Sequence, residues 1–132
     1  MNPQELLFSK DHEWIHVSQE GEEKVATVGL SAFALEALTD LVFIELPEIG
    51  RNVTAGESLG EVESVKAVSD IFSPVTGEIT ETNSAIADEL EKMSDDPYGE
   101  GWIVKIKVAD DSSLADLMDY EAYQKQCAEE EG

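Results

Sequence analysis

Apolar and polar residues alternate along several segments of the chain, and this pattern predicts β-strands. HEWIHVS and KVATV alternate on either side of the turn-like sequence QEGEE, which predicts an antiparallel hairpin over residues 12–28. WIVKIKV, residues 102–108, alternates in the same way. TDLVFIEL, residues 39–46, is rich in the branched and aromatic side chains that favour strands. The sequence therefore predicts a mainly β protein.

Proline and glycine divide the middle of the chain into further short strands. The turn pattern Pro-x-x-Gly occurs at residues 47–50 and again at residues 74–77. Between these two turns, LGEVES and AVSDIF each have a strand-like composition. Short strands separated by such turns are typical of a small sandwich or a flattened barrel.

Short helices accompany the predicted strands. Ser31 has the residue type of a helix N-cap and precedes the apolar run AFALEAL. Residues 87–93 have weaker helical character, and a C-terminal helical segment is predicted over about residues 112–128. No linker-like stretch divides the chain, so residues 1–132 are predicted to form a single domain.

The composition is strongly acidic, with 30 Asp and Glu against 8 Lys and Arg and a formal net charge of −22. Such a surface repels phosphate backbones and anionic headgroups, which argues against nucleic acid and membranes as partners. No apolar run approaches the roughly 20 residues of a membrane span. Two roles remain open for the charge: it keeps the protein in solution, or it also steers the protein towards basic partners.

The sequence also carries weak signals about its compartment. Cys127 is the only cysteine, so no intramolecular disulfide points to an oxidising compartment. The N-terminal sequence MNPQELLFSKD has neither a basic n-region nor an Arg-rich amphipathic stretch. We expect a cytoplasmic protein. The mitochondrial matrix stays the alternative, because a mature chain without its transit peptide would have the same features.

HEWIH, residues 12–16, matches the H-E-x-x-H signature of zinc proteases. That function needs a helix, in which positions i and i+4 lie about 5–6 Å apart. In a strand, four residues at about 3.3 Å each would separate His12 from His16 by roughly 13 Å. Trp14 and Ile15 favour a strand, and we expect no metal site here.

Lys66 lies between two strand-like segments of this acidic chain, in the sequence ESVKAVSD. An exposed lysine on a hairpin turn is by itself an ordinary solvated residue. A Schiff-base role is unfavourable, because it needs desolvation or a nearby cation, and Glu63 and Asp70 provide the opposite environment. An accessible lysine on a rigid hairpin tip does suit the attachment of a covalent prosthetic arm.

The sequence resembles the H-protein family of the glycine cleavage system from about Phe8 to Tyr123. The most specific part is VESVKAVSDIFSPVTGEI, which is similar to the lipoylation hairpin of that family. KDHEW, EALTDLVFIELPEIG and DPYGEGWIVKIK also match in order and spacing. Biotin carriers resemble this fold, but methionines flank their lysine, whereas Val65 and Ala67 flank Lys66.

This resemblance implies a barrel-sandwich hybrid, the flattened β-barrel of lipoyl and biotinyl domains, with short flanking helices that include one at the C-terminus. The lipoyl hairpin would span about residues 59–73. Lipoic acid would be amide-linked to Lys66, and the protein would be a carrier without catalytic activity of its own.

The resemblance also implies partners. A pyridoxal-phosphate-dependent glycine decarboxylase would load an aminomethyl group, and a tetrahydrofolate-dependent aminomethyltransferase would remove it. Dihydrolipoyl dehydrogenase would take the electrons. A lipoate–protein ligase, or an octanoyltransferase together with lipoyl synthase, would install the lipoyl group.

Several residues near the lysine acquire expected roles from the same resemblance. Glu13, Asp70 and His12 would line a cleft in which the loaded arm docks, and a carboxylate there would hold the cargo ammonium by a charge-assisted hydrogen bond. The alternative for Glu13 is an ordinary solvated strand residue. Recognition by the modifying enzyme is expected at the residues beside the lysine, namely Glu63, Ser64, Val65 and Ala67.

Three other functions stay open from the sequence. The first is a carrier that relays lipoyl groups to other proteins, which the same lysine would serve. The second is a metal hydrolase built on HEWIH. The third is an acidic interaction module in which Lys66 is unmodified.

Overall fold

The structure is a computed structural model that describes residues 3–38, 40–65, 67–110, 114–115 and 117–131. After a 3₁₀ turn at Pro3–Glu5, the described strands and helices follow in this order: β1 Leu7–Phe8, β2 Glu13–Glu20, β3 Glu23–Leu30, α1 Ala32–Leu38, β4 Leu41–Glu45, β5 Asn52–Val53, β6 Ser58–Ser64, β7 Val68–Phe72, β8 Thr76–Thr82, α2 Ala85–Asp88, α3 Glu91–Asp95, β9 Trp102–Asp110 and α4 Tyr120–Glu131.

The strands form two antiparallel sheets. The larger sheet has the order β1-β2-β3-β9-β8-β5 and the smaller has the order β4-β6-β7. One apolar core joins them, because Ile15 and Val28 of the larger sheet are buried in the same cluster as Ile44 and Val62 of the smaller. The two sheets do not close into one continuous barrel. The prediction of a mainly β sandwich-like fold with flanking helices is confirmed.

The N-terminal hairpin and the first helix form where the sequence pattern predicts them. β2 and β3 pair in the register Ile15↔Val28, which places the apolar positions of both strands on the buried face. Ser31 acts as the predicted N-cap, because its Oγ accepts the backbone N–H of Ala34 at 3.2 Å. The helix predicted at 87–93 is instead two short helices, because the backbone of Glu89 leaves the helical region at φ −136° and ψ 68°.

The C-terminal helix α4 begins at Tyr120. Of the helical segment predicted from about residue 112, residues 112, 113 and 116 lie outside the described residues. Before α4, Met118 and Phe8 exchange two backbone hydrogen bonds of 2.7 Å, which returns the chain to the edge of the larger sheet. α4 then packs on a second apolar cluster, whose buried members are Leu6, Phe8, Trp14, Tyr123 and Cys127. None of the described helices is long and apolar enough to cross a membrane.

Candidate functional site

The lysine hairpin consists of β6 and β7, which pair as far as Glu63↔Val68. The backbone N–H of Ser64 donates to the carbonyl of Ala67 at 2.8 Å, and Ser64 Oγ accepts the N–H of Ala67 at 3.1 Å. These bonds close the connection between the two strands. Lys66 belongs to that connection by sequence and itself lies outside the described residues.

On the outer face of the smaller sheet, next to the lysine turn, two exposed apolar side chains flank Glu63. Phe43 and Val68 both pair with Glu63 in register, so the three residues lie in one row across the sheet. Phe43 is 51% exposed and Val68 is 58% exposed, and Val65 in the turn is 65% exposed. Exposed apolar side chains on a sheet face are suited to contact a partner protein.

An acidic row follows on the same face, one step farther from the turn. Glu45 and Asp70 both pair with Glu61 in register, which brings three carboxylates side by side. Asp70 is exposed. The lysine hairpin thus presents apolar and acidic groups together, an arrangement that complements a basic surface with an apolar centre.

Glu13 is the most deeply buried of the predicted site residues, with only 1% of its surface exposed. Its Oε1 accepts a hydrogen bond from Ser9 Oγ at 2.6 Å, and Ser9 Oγ accepts the Glu13 backbone N–H at 3.2 Å. The backbone of Phe72, the last residue of β7, also lies close to the Glu13 carboxyl group. The alternative of a solvated Glu13 is therefore wrong, because the preceding chain folds over the start of β2.

Burial changes the acidity of Glu13. Desolvation raises its pKa from 4.5 to about 8, and the charge of Asp11 acts in the same direction. The hydrogen bond from Ser9 and the nearby backbone of Phe72 favour the ionised form and only partly oppose this shift. At neutral pH the group is therefore mostly a neutral carboxylic acid. A cation bound beside Glu13 would lower the pKa of its carboxyl group, which would then lose its proton.

Glu13 faces a surface cavity of about 280 Å³, just below the roughly 300–1,000 Å³ of typical small-molecule sites. The cavity lies at the base of the lysine hairpin, where the N–H of Gly56 donates to the carbonyl of Ser73 at 2.7 Å. Its walls combine apolar surface with a buried carboxyl group, which suits an apolar chain that ends in a cation. The lining residues are Ser9, Lys10, Asp11, Glu13, Ala55, Gly56, Ser73, Pro74 and Leu117.

Asp70 and His12, the other two predicted docking residues, are not among the residues that line this cavity. Asp70 lies on the outer sheet face. The His12 ring stacks on Phe33, with centroids 4.9 Å apart, and contacts α4 instead. Ser9, which holds Glu13, was not predicted from the sequence, because nothing in its neighbourhood marks it as different from other surface serines.

A larger cavity of about 510 Å³ is lined by the start of β4 and by residues of α2 and α3. It is close to the turn because the N–H of Val65 donates to the carbonyl of Asp40 at 3.0 Å. Four carboxylates dominate its lining, those of Asp40, Asp88, Glu91 and Asp95. This lining is less suited to an apolar prosthetic arm than the cavity at Glu13.

Residues 13–16 of HEWIH adopt the predicted extended conformation, whereas His12 has a left-handed backbone. β2 begins at Glu13 and contains His16, while His12 lies just before it. The two histidines therefore do not share a helical face, which the zinc-protease geometry requires.

Comparison with known proteins shows a consistent similarity over nearly the whole chain. The family model of the glycine cleavage H-protein matches residues 6–130. The glycine cleavage system H protein of Rhodopirellula baltica is 49% identical over 128 residues, which is 97% of this chain and 96% of that protein. The H protein of Rubrobacter xylanophilus is 46% identical and covers 98% of this chain and 97% of its own. The crystal structure of a glycine cleavage system H protein from Mycobacterium marinum superposes with a TM-score of 0.82 at 39% identity, covering 95% of this chain and 98% of that one.

Proposed function

The chain belongs to the glycine cleavage H-protein family, and on that premise we propose that Lys66 bears the lipoyl group and that the cavity at Glu13 shelters its loaded end. H proteins are the lipoyl carriers of the glycine cleavage system and do not catalyse a reaction by themselves. When bound, the lipoyl group supplies a disulfide that accepts the aminomethyl cargo together with two electrons.

The residues around Lys66 support its role as the attachment point. β6 and β7 are paired along their length, and the bonds between Ser64 and Ala67 fix the two ends of the turn. A rigid hairpin presents its tip in one geometry to a modifying enzyme. We propose that this enzyme contacts Glu63, Ser64, Val65 and Ala67 at the turn.

The main support for the sheltering role is that the buried carboxyl group of Glu13 lines a cavity at the base of the β6–β7 hairpin. Leu117 and Pro74 provide apolar wall for the chain of the arm, and Glu13 provides one acidic group. The ammonium of the cargo would lower the Glu13 pKa, so that the carboxyl group ionises and accepts a charge-assisted hydrogen bond. Exclusion of water from the cavity would protect the labile carbon of the cargo.

The partners follow from the glycine cleavage system. We propose that the carrier meets a pyridoxal-phosphate-dependent glycine decarboxylase, a tetrahydrofolate-dependent aminomethyltransferase and dihydrolipoyl dehydrogenase. A lipoate–protein ligase, or an octanoyltransferase with lipoyl synthase, would modify it. The bacterial sources of the similar proteins support a cytoplasmic location, and residues 1–132 would act as one lipoyl-carrier domain.

The attachment residue is tested by intact-mass measurement after incubation with a lipoate–protein ligase, ATP and lipoate. We expect one lipoyl increment on the unaltered protein and none on Lys66→Arg, which keeps the charge but cannot form the amide. Lys92→Arg is the control, because it alters a partly exposed lysine outside the hairpin and should leave the increment intact. A lipoyl increment on Lys66→Arg would show that another residue is modified.

The sheltering role is tested by the lifetime of the loaded arm. Purified, aminomethyl-loaded protein is kept without the transferase, and released ammonia and formaldehyde are measured. Loss of one charge-assisted hydrogen bond, typically about 1.5–3 kcal/mol, should raise the release rate roughly tenfold or more in Glu13→Gln. Glu20→Gln, at an exposed position of the same strand, should behave like the unaltered protein. Equal release from all three proteins would contradict the proposal.

A further inference from the structure

His12 has a backbone conformation that is unusual for a residue with a side chain. Its φ is +70°, and it is the one non-glycine residue in the described part of the chain with a positive φ. Left-handed backbone is unfavourable for residues with a Cβ, so surrounding contacts must hold it in place. Several of these contacts come from α4, more than 100 positions away along the chain.

Two side chains of α4 bind the His12 ring directly. Tyr123 Oη lies 2.7 Å from His12 Nδ1, and a carboxylate oxygen of Glu130 lies 3.0 Å from His12 Nε2. A third residue of the helix, Gln126, donates from Nε2 to the carbonyl of Lys10 at 2.9 Å. The helix therefore contacts the turn before β2 at three points.

The hydrogen bonds around Tyr123 form a chain with one consistent direction. Because the Glu130 carboxylate can only accept, His12 Nε2–H donates to it; with a neutral imidazole, Nδ1 then accepts from the Tyr123 hydroxyl. Ser31 Oγ, 2.5 Å from Tyr123 Oη, then donates to the tyrosine oxygen. Tyr123 is only 1% exposed and stacks on Phe8 at a centroid distance of 4.4 Å, so its hydroxyl is held in position.

His12 is joined by a peptide bond to Glu13, and its own peptide groups are also fixed. The His12 N–H donates to the carbonyl of Ser9 at 3.2 Å, and the His12 carbonyl accepts the N–H of Ser31 at 2.9 Å. Ser9 is the residue whose hydroxyl binds the Glu13 carboxyl group. The conformation of His12 thus sets the direction in which Glu13 leaves the backbone towards its cavity.

We propose that α4 clamps His12 in the left-handed conformation through Tyr123 and Glu130, and that His12 is a positioning residue for the Glu13 carboxyl group. The functional consequence rests on the sheltering role proposed above for Glu13. The helix would then support the arm cavity without contributing a side chain to it.

The first test follows Glu13 itself in the unmodified protein, by NMR titration of ¹³C-labelled glutamate carboxyl groups. The Glu13 resonance is assigned by its loss in Glu13→Gln. We expect Tyr123→Phe and Glu130→Ala to lower the Glu13 pKa by about one unit or more, because the released turn lets the carboxyl group reach water. Glu129→Ala, the neighbouring exposed acid on the same helix, should leave it unchanged. An unchanged Glu13 pKa in both clamp variants would overturn the proposal.

The second test separates a clamp on the backbone from a general loss of stability. Glycine adopts a positive φ readily, so His12→Gly should keep the turn and the Glu13 pKa without the ring contacts. In the His12→Gly protein, Tyr123→Phe should cause no further shift of the Glu13 pKa. If Tyr123→Phe shifted the Glu13 pKa equally in the protein that retains His12 and in the His12→Gly protein, the proposed clamp would be overturned. Tyr123→Phe could lower the Glu13 pKa and leave the release of ammonia and formaldehyde from the loaded arm unchanged. That result would support the clamp on His12 and contradict the sheltering role of Glu13.

Discussion

Replacement of Glu13 by glutamine should change how the stability of the unmodified protein depends on pH. The folded pKa is about 8 and the reference value is 4.5, so between these values the folded state binds more protons than the unfolded state. The stability associated with the neutral carboxyl group is fully present below pH 4.5 and is lost as the pH rises through about 8. Glutamine is a neutral group of the same shape and has no such dependence.

The size of the effect follows from the difference between the two pKa values. At roughly 1.4 kcal/mol per pH unit, the difference between about 8 and 4.5 corresponds to about 5 kcal/mol of unfolding free energy. This is comparable with the whole stability of a small domain, which is typically about 5–15 kcal/mol. At pH 5 the two proteins should be nearly equal in stability, and at pH 9 Glu13→Gln should be the more stable by several kcal/mol.

Urea unfolding at a series of pH values from 5 to 9 measures this difference directly. The many other carboxylates also make stability depend on pH, but they are common to both proteins and cancel when the two free energies are subtracted. Glu20→Gln is the control, and above pH 6 its difference from the unaltered protein should stay flat. A constant difference between Glu13→Gln and the unaltered protein across the range would refute the assignment of a buried, neutral Glu13.

Two further predictions concern the charge and the hairpin. Association with the lipoylating enzyme should slow as ionic strength rises from 0.01 to 0.15 M, because the Debye length falls from about 30 to about 8 Å; rates that stay flat would assign the −22 net charge to solubility alone. Gly60→Ala should lower the unfolding free energy by about 1–3 kcal/mol, because the added Cβ would press into the backbone carbonyl of Glu45. Gly21→Asn is the control for urea unfolding, since the space at Gly21 is open and asparagine tolerates its left-handed backbone. An alanine variant as stable as the unaltered protein would show that β4 can move away from β6.

Local pattern was sufficient for most of the strands and for the hairpin that contains Lys66. The alternation in β2, β3 and β9 and the Pro-x-x-Gly turns act within a few residues, where sequence spacing and strand geometry are directly linked. The N-cap at Ser31 could also be predicted from local sequence, because its hydroxyl accepts a hydrogen bond from Ala34, only three residues away. The helix at 87–93 was predicted less well, since the break at Glu89 has no proline or glycine to mark it.

The roles of the two residues at the start of β2 were decided by contacts that sequence spacing does not show. Glu13 and His12 are adjacent polar residues, and their polarity alone favours an exposed position for each of them. In the fold, Ser9 and β7 enclose Glu13, whereas α4 binds His12 on another side. The surroundings of Glu13 combine the residues just before it with residues distant in the chain, such as Ser73 and Leu117, and the contacts of His12 include α4, more than 100 positions away. The sequence by itself determined the strands, the turn and the lysine between them, because these depend on neighbours. Only the tertiary structure decided that the Glu13 carboxyl group is buried and has a raised pKa, because desolvation depends on all the residues that pack around that group.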